Sequence, residues 1–484
     1  MLCFAHVRSP RRTALRRALI PLVPAAFIGA ALAPAAVAGP VSTLPTTKQP
    51  RVATIAPGIT HERIVRSGGQ VVHVVRGRPG PRVSMAPVLA GGSPTSRGGL
   101  TQAIAARQDT TGAVAGVNGD FFNYGTGNPS GLLMIGGQII SEPEASRSAL
   151  IMRSDGHLDA AVVALQGRWQ AADPAGALRF GTRTFQGINR SPQRAAEAIL
   201  YTTAYGRVTT PTGSSLWEAR VRLDADVVPQ PGVPMTGTVI GTGTGGGSTN
   251  GRGQVVLTGV GSSGSTMSRD LETGRRITIT PGLLSVFDLQ PLAAEAMDAI
   301  GGGPLLVRDG AAVHDHGEGR SSGQLNSRTA RTAAGQAADG TLLLVTAEGP
   351  VQGSPGITAR EQADLLADLG ARVAVAMDAG GSAQLAVGTQ PAVSWGGTPR
   401  SLSDDIVMSY RGLRMEPLPP RVSPNADRVD DSVVATVRTP VAGRVTVAIA
   451  HRTGRPARQL WKGDLGGSSA RVRVDPRKLR LNDG

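Results

Sequence analysis

The chain has 484 residues, a formal net charge of +15 and a single cysteine, Cys3, which predicts two or three domains and excludes an internal disulfide framework. The charge is uneven: residues 1–38 carry five arginines and no acid, residues 411–484 carry 15 basic against 7 acidic residues, and residues 39–410 are left at only +2. With 47 arginines against 3 lysines and no stripe of alternating basic and aromatic residues, the excess reflects arginine usage rather than a phosphate-tracking surface, and no nucleic-acid partner is expected.

In chain order, Arg8, Arg11, Arg12, Arg16 and Arg17 precede an apolar run that ends in Ala36-Val37-Ala38. This reads as an export signal over residues 1–38, with Arg11-Arg12 suited to twin-arginine export, and so as a secreted or cell-surface protein. Pro21, Pro24 and Pro34 break the run, which disfavours an uncleaved anchor, and no later stretch reaches the roughly 18 apolar residues that a span needs, so no stable membrane span is expected once the signal is removed. Residues 39–97 read as a Pro/Thr-rich linker followed by a β-rich region. A short helix at Leu100 to Gln108 comes next, then a strand, Ala113 to Val117, that delivers "VNGDFFNYG". Asn118, Asp120 and Phe121 in this loop could bond and stack a sugar; one of Phe121 and Phe122 is expected to plug the core instead. Residues 160–290 read as a β-rich insertion, with "GTGTGGGSTNG" as a flexible surface loop. After a proline-rich hinge, residues 416–484 alternate with period two and read as a small all-β module whose pattern stops at Gly484 without an evident final strand, as in a truncated module.

The densest chemistry lies between Gly301 and Tyr410. "GTLLLVTAEG" is an apolar strand ending at Glu348, "VAVAMDAGG" is another ending at Asp378, and "GITAREQADLLADLG" between them has helical spacing. Thr358 and Glu361 are spaced as a capping box and Gly370 suits the stop, so Glu361 is read as a cap. A strand, helix and strand of this length predict a crossover with both strands parallel in one sheet. Glu348 and Asp378 would then leave the same sheet edge roughly 5 to 10 Å apart, a separation used by carboxylate pairs in glycoside cleavage. Arg328 and Arg331 precede the first strand and Arg400 follows in "WGGTPRSLSDD"; arginine forks suit phosphate. His314-Asp315-His316 matches no zinc-site spacing, and the metal question is left at a divalent cation bridging Asp378 and a substrate phosphate, with no cofactor required.

Taken in order, "VNGDFF", "AIGGGPLLVRDG", "RTARTAAG", "LLLVTAEG", "GITAREQADLLADLG", "VAVAMDAGGSAQL" and "PRSLSDDIVMSY" resemble the phosphodiester glycosidase family over about residues 98–410. The terminal module resembles the immunoglobulin-like repeats of secreted enzymes. The resemblance implies a catalytic domain at 98–415 of α+β class, a mixed sheet with flanking helices. It also implies hydrolysis of an α-glycosyl phosphodiester that leaves a phosphomonoester behind, and a cell-wall polymer or exopolysaccharide is the expected substrate. Position by position, Asn118, Arg331, Asp378, Gly380, Gly381, Ser382 and Arg400 match its pattern, with Glu348 and Asp378 as the catalytic pair. Asp120, Phe121 and Arg328 complete the expected substrate-binding set. Glu348 stands where the family often has Asp, and Ala379 where it usually has Gly, a loss of backbone freedom that leaves a sugar-phosphate-binding protein without turnover as the competing class.

Overall fold

The computed structural model describes residues 2–8 and 50–479, except 145, 174–176, 179, 207–208, 287–288, 293–295, 315–317, 319, 394–398, 417, 419–430, 451–457 and 477. The export-signal reading beyond the strand Leu2–Arg8, the linker before Pro50, most of the hinge, and Asp315 and His316 therefore lie outside the described residues. Two compact units are formed, Ser42–Gly412 and Leu413–Gly484 with Met1–Val41. The second consists of two three-stranded antiparallel sheets, and the period-two pattern of its sequence buries Val437, Val445, Val447 and Val472.

Within Ser42–Gly412 the central layer is an eight-stranded sheet. Its spatial order is Arg51–Ala56, Ile59–Val65, Val71–Gly77, Leu342–Ala347, Arg331–Ala337, Ala371–Ala376, Leu305–Arg308 and Ala311–Ala312. Both faces are covered, which is why its strands read as continuous apolar runs. Leu342, Leu344, Val373 and Val375 pack against Val117, Leu385, Ile406 and Met408 of a five-stranded sheet and Leu133 and Leu150 of a six-stranded one. The alternate residues Leu343, Val345, Ala374 and Ala376 pack against Ala363, Leu365 and Leu366 of the helix Ala359–Asp368. That helix has the expected capping box: the Glu361 amide donates to Thr358 Oγ1 at 3.2 Å and the Thr358 amide to Glu361 Oε2 at 2.9 Å. It stops before Gly370 at φ +84°.

The far face of the five-stranded sheet is closed by the helix Leu100–Ala105 and Phe122. That of the six-stranded sheet is closed by a second eight-stranded sheet drawn from residues 167–280, through Trp169, Val221, Leu257 and Ile279. Half of "GTGTGGGSTNG" belongs to a strand of this sheet, Met235–Gly246, rather than to a loop.

The α+β expectation, a mixed sheet with flanking helices, is overturned. Among the described residues 51% are strand and 11% helix, and every pairing in the central sheet is antiparallel. The strands Leu342–Ala347 and Ala371–Ala376 do run parallel to one another in one sheet, since both are antiparallel to Arg331–Ala337. That strand sits between them. A local strand, helix and strand pattern is compatible with an inserted antiparallel strand, and only the pairing partner, supplied from elsewhere in the chain, decides the sheet type.

Candidate active site

Asp378 follows the strand Ala371–Ala376 and is tied down from two sides. Its amide donates to Gly119 O at 3.0 Å, and its carbonyl accepts from Asn118 Nδ2 at 2.8 Å. Asn118 Oδ1 in turn accepts from the Gln384 amide at 3.0 Å, so Asn118 clamps the 378–384 loop to the strand Ala113–Asn118 and its amide is spent on backbone. The Asp378 carboxyl accepts from Ser382, and Ser382 Oγ is 3.1 Å from Arg400 Nη1. An arginine donates only, so the Ser382 hydroxyl accepts from Arg400 and its own proton is left for Asp378. Arg400 also donates to the Tyr124 hydroxyl. A Cβ on Gly381 would lie 2.6 Å from Arg400 Nη2, so glycine there makes room for this chain of bonds. Gly380 has φ +65° and needs glycine, whereas Ala379 has an ordinary extended φ of −104°; the alanine that departs from the family pattern carries no backbone strain.

Burial drives the Asp378 carboxyl up from 3.8 to about 6, opposed by the Ser382 bond and the Arg400 charge and reinforced by the charge of Asp120. Asp120 is itself buried, bonded to Arg147 Nη1 at 3.0 Å, and its amide donates to Asp404 Oδ1 at 2.7 Å. Desolvation raises the pKa of Asp120, Asp404 and Asp405 as well.

Asp378, Ala379 and Gly380 form one wall of a pocket of about 360 Å³, within the usual range for small-ligand sites. The other walls come from Phe121, Pro304, Arg320, Thr329 and Arg331. Phe121 is the pocket phenylalanine and Phe122 the core one, 6% exposed. The Phe121 ring is engaged by cations: the Arg320 guanidinium lies 4.0 Å and that of Arg147 5.3 Å from its centre. Arg331 is held by backbone carbonyls: Nε donates to Ile357 O at 2.8 Å, and Nη2 to Gln324 O at 2.6 Å and Ser327 O at 3.1 Å. Burial lowers its pKa to about 10. Arg328 points elsewhere, paired with Glu361 and bonded to Gly356 O at 3.1 Å.

Glu348 does not line the pocket. Its Oε1 is 3.0 Å from His73 Nε2, and His73 Nδ1 is 3.0 Å from His61 Nε2, whose pKa falls to about 4 through burial and then the His73 charge. The reason is the strand alternation. Glu348 follows Leu342, Leu344 and Thr346 on the face toward the five-stranded sheet and meets His73 there, and Arg331 precedes Ala333 on the helix side. Asp378 lies past the end of its strand, where the bonds to Asn118 and Gly119 and the Ser382 hydroxyl place it. The two acids leave the same sheet edge but meet different partners. Arg147 and Arg320, isolated arginines in an arginine-rich chain, carried no sequence signal; Asp404 and Asp405 stood in "SLSDD" without one. Among the described residues no three His, Cys, Asp or Glu are grouped to hold a metal ion, and His314 Nε2 instead contacts Asp364 Oδ1 at 2.6 Å.

The class to which fold and site belong follows from comparison. Residues 233–408 match the family model for phosphodiester glycosidase, a span that contains every pocket residue except Phe121. Over this segment, which is less than half of its length, the chain is similar to that family of glycosidase-type enzymes. Among solved structures it is similar to a hypothetical protein from Synechocystis, with TM-score 0.60 and 21% identity over 75% of this chain. It spans 64% of that protein's length. It is also similar to a protein from Burkholderia pseudomallei K96243 described as exported, with TM-score 0.55, 24% identity and coverage of 71% of this chain and 74% of that one. At these identities the likeness establishes the fold. The catalytic domain of zebrafish N-acetylglucosamine-1-phosphodiester alpha-N-acetylglucosaminidase, auto-inhibited by its pro-peptide, aligns with TM-score 0.36 and 14% identity over 77% of this chain and 87% of that one. No curated protein matches, and no helix among the described residues is long and apolar enough to cross a membrane.

Proposed function

We propose that this chain is an exported hydrolase that cleaves an α-glycosyl phosphodiester to a free sugar and a phosphomonoester on cell-envelope or extracellular glycans. The observation that carries the reading is Asp378, an acid poised at about 6 on the wall of a ligand-sized pocket inside the family-matched segment. A carboxyl with that pKa is ionised at neutral pH yet close enough to the working range to accept a proton. It supports the positive charge developing at the anomeric carbon and takes a proton from the attacking water. The phosphomonoester leaves as a stable anion, so no second pocket carboxyl is needed as a strong acid, and no cofactor is required. The arginine-rich start, the apolar run and Ala36-Val37-Ala38 support export.

The test is release of free sugar from a UDP-sugar and from the methyl ester of an α-sugar 1-phosphate. Wild type is expected to turn over at least one of them, and Asp378→Asn to be slower by about a hundredfold or more. No release from either substrate, or an Asp378→Asn rate equal to wild type, would overturn the reading.

A further inference from the structure

Two guanidinium groups reach the pocket, and their bonding differs. Arg331 commits Nε to Ile357 O and Nη2 to the carbonyls of Gln324, Leu325 and Ser327, which makes it a strut between the 324–327 turn and the start of the helix Ala359–Asp368. Arg320 is differently placed. Its Nη2 donates to Gly302 O at 3.1 Å, its Nε is buried without a partner, and its plane is braced on Phe121 at 4.0 Å.

Three carboxylates act on Arg320 through their charge, Asp120, Glu318 and Glu144, and none forms a salt bridge with it among the described residues. Asp120 and Glu144 are paired to Arg147. Glu318 accepts from the Ser148 amide at 2.8 Å, the Ser148 hydroxyl at 2.7 Å and the Leu305 amide at 2.8 Å. Neither pocket guanidinium is bonded to a carboxylate among the described residues, but Arg320 makes one hydrogen bond where Arg331 makes four; braced by an aromatic ring, Arg320 has the more donors left for a planar or tetrahedral oxyanion. Burial and the neighbouring Arg147 charge lower its pKa, a cost that a bound anion would relieve.

We propose that Arg320, braced on Phe121, binds the phosphate of the substrate, and that Arg331 shapes the pocket wall. The assignment deepens the hydrolase reading and rests on it for the identity of the substrate, but phosphate binding can be measured without turnover. The experiment titrates inorganic phosphate into wild-type protein, Arg320→Gln, Arg320→Lys and Arg331→Gln by calorimetry, alongside thermal melts and sugar release from a UDP-sugar. Arg320→Gln is expected to melt as wild type does but to bind phosphate about tenfold or more weakly and to raise KM. Arg320→Lys should recover part of the affinity. Arg331→Gln should lower the melting temperature while its folded fraction still binds phosphate. Wild-type phosphate affinity in a folded Arg320→Gln, or no phosphate binding by wild type, would overturn the proposal. Arg320-dependent phosphate binding without any sugar release would sustain it while removing the hydrolase reading; sugar release with unchanged KM in Arg320→Gln would do the reverse.

Discussion

Replacing Asp378 by Asn should stabilise the protein while slowing its turnover by about a hundredfold or more, and the stabilisation should depend on pH in a defined direction. In the folded chain the carboxyl titrates at about 6 instead of 3.8 because burial disfavours its charge. At 1.36 kcal/mol per pKa unit this corresponds to about 3 kcal/mol. The sign follows from linkage: a raised native pKa means that the folded state binds the proton more tightly than the unfolded one. The favourable contribution is full below pH 3.8 and is lost as pH rises through 6. Asparagine keeps an oxygen to accept from Ser382 and carries no charge at any pH. The variant should therefore unfold at about the same denaturant concentration as wild type near pH 3.5, and gain up to about 3 kcal/mol over it at pH 8. Urea unfolding of both proteins at half-unit intervals from pH 3.5 to 8 measures this. A difference that stays flat across pH 4 to 6, or wild type the more stable at pH 8, would refute the burial of an ionised acid at the site.

Other outcomes follow from the same geometry. Sugar release by wild type should fall as pH drops below about 6, because the ionised form of Asp378 is the working one; a rate that instead rises on acidification would assign it the opposite role. Gly381→Ala pushes a methyl to within 2.6 Å of Arg400 Nη2; the flexible arginine can move aside, so turnover should drop about ten- to a hundredfold with little change in melting temperature. Glu348→Gln should leave kcat/KM unchanged, since its carboxylate is engaged by His73, and a large loss would return Glu348 to the site. Phe122→Ala should cost about 3 to 5 kcal/mol in urea unfolding, and Phe121→Ala much less.

Much of the local structure was determined by the sequence alone. The Thr358/Glu361 box, the stop at Gly370, the two apolar strands and their common direction are short-range events, set by capping chemistry and by chain length between elements. The position of Asp378 at a strand end beside Gly380 and Gly381 was equally legible. Which acid shares a pocket with which was not. A strand buried on both faces is apolar throughout, so Leu342 to Ala347 and Ala371 to Ala376 gave no polar alternation from which the face of the following acid could be read. Pairing through the inserted Arg331–Ala337 strand separated the two strands, and the contacts beyond their ends gave Glu348 to His73 and Asp378 to Ser382, in the pocket that Arg331 and Arg320 also line. The fate of each arginine was likewise a tertiary matter: carbonyls from the 324–327 turn and Ile357 engage Nε and Nη2 of Arg331, a helix-capping acid engages Arg328, and a ring braces Arg320. A guanidinium has the same chemistry in all three settings, and only the acceptors that folding brings within reach decide whether it holds the fold together or is left to hold a ligand.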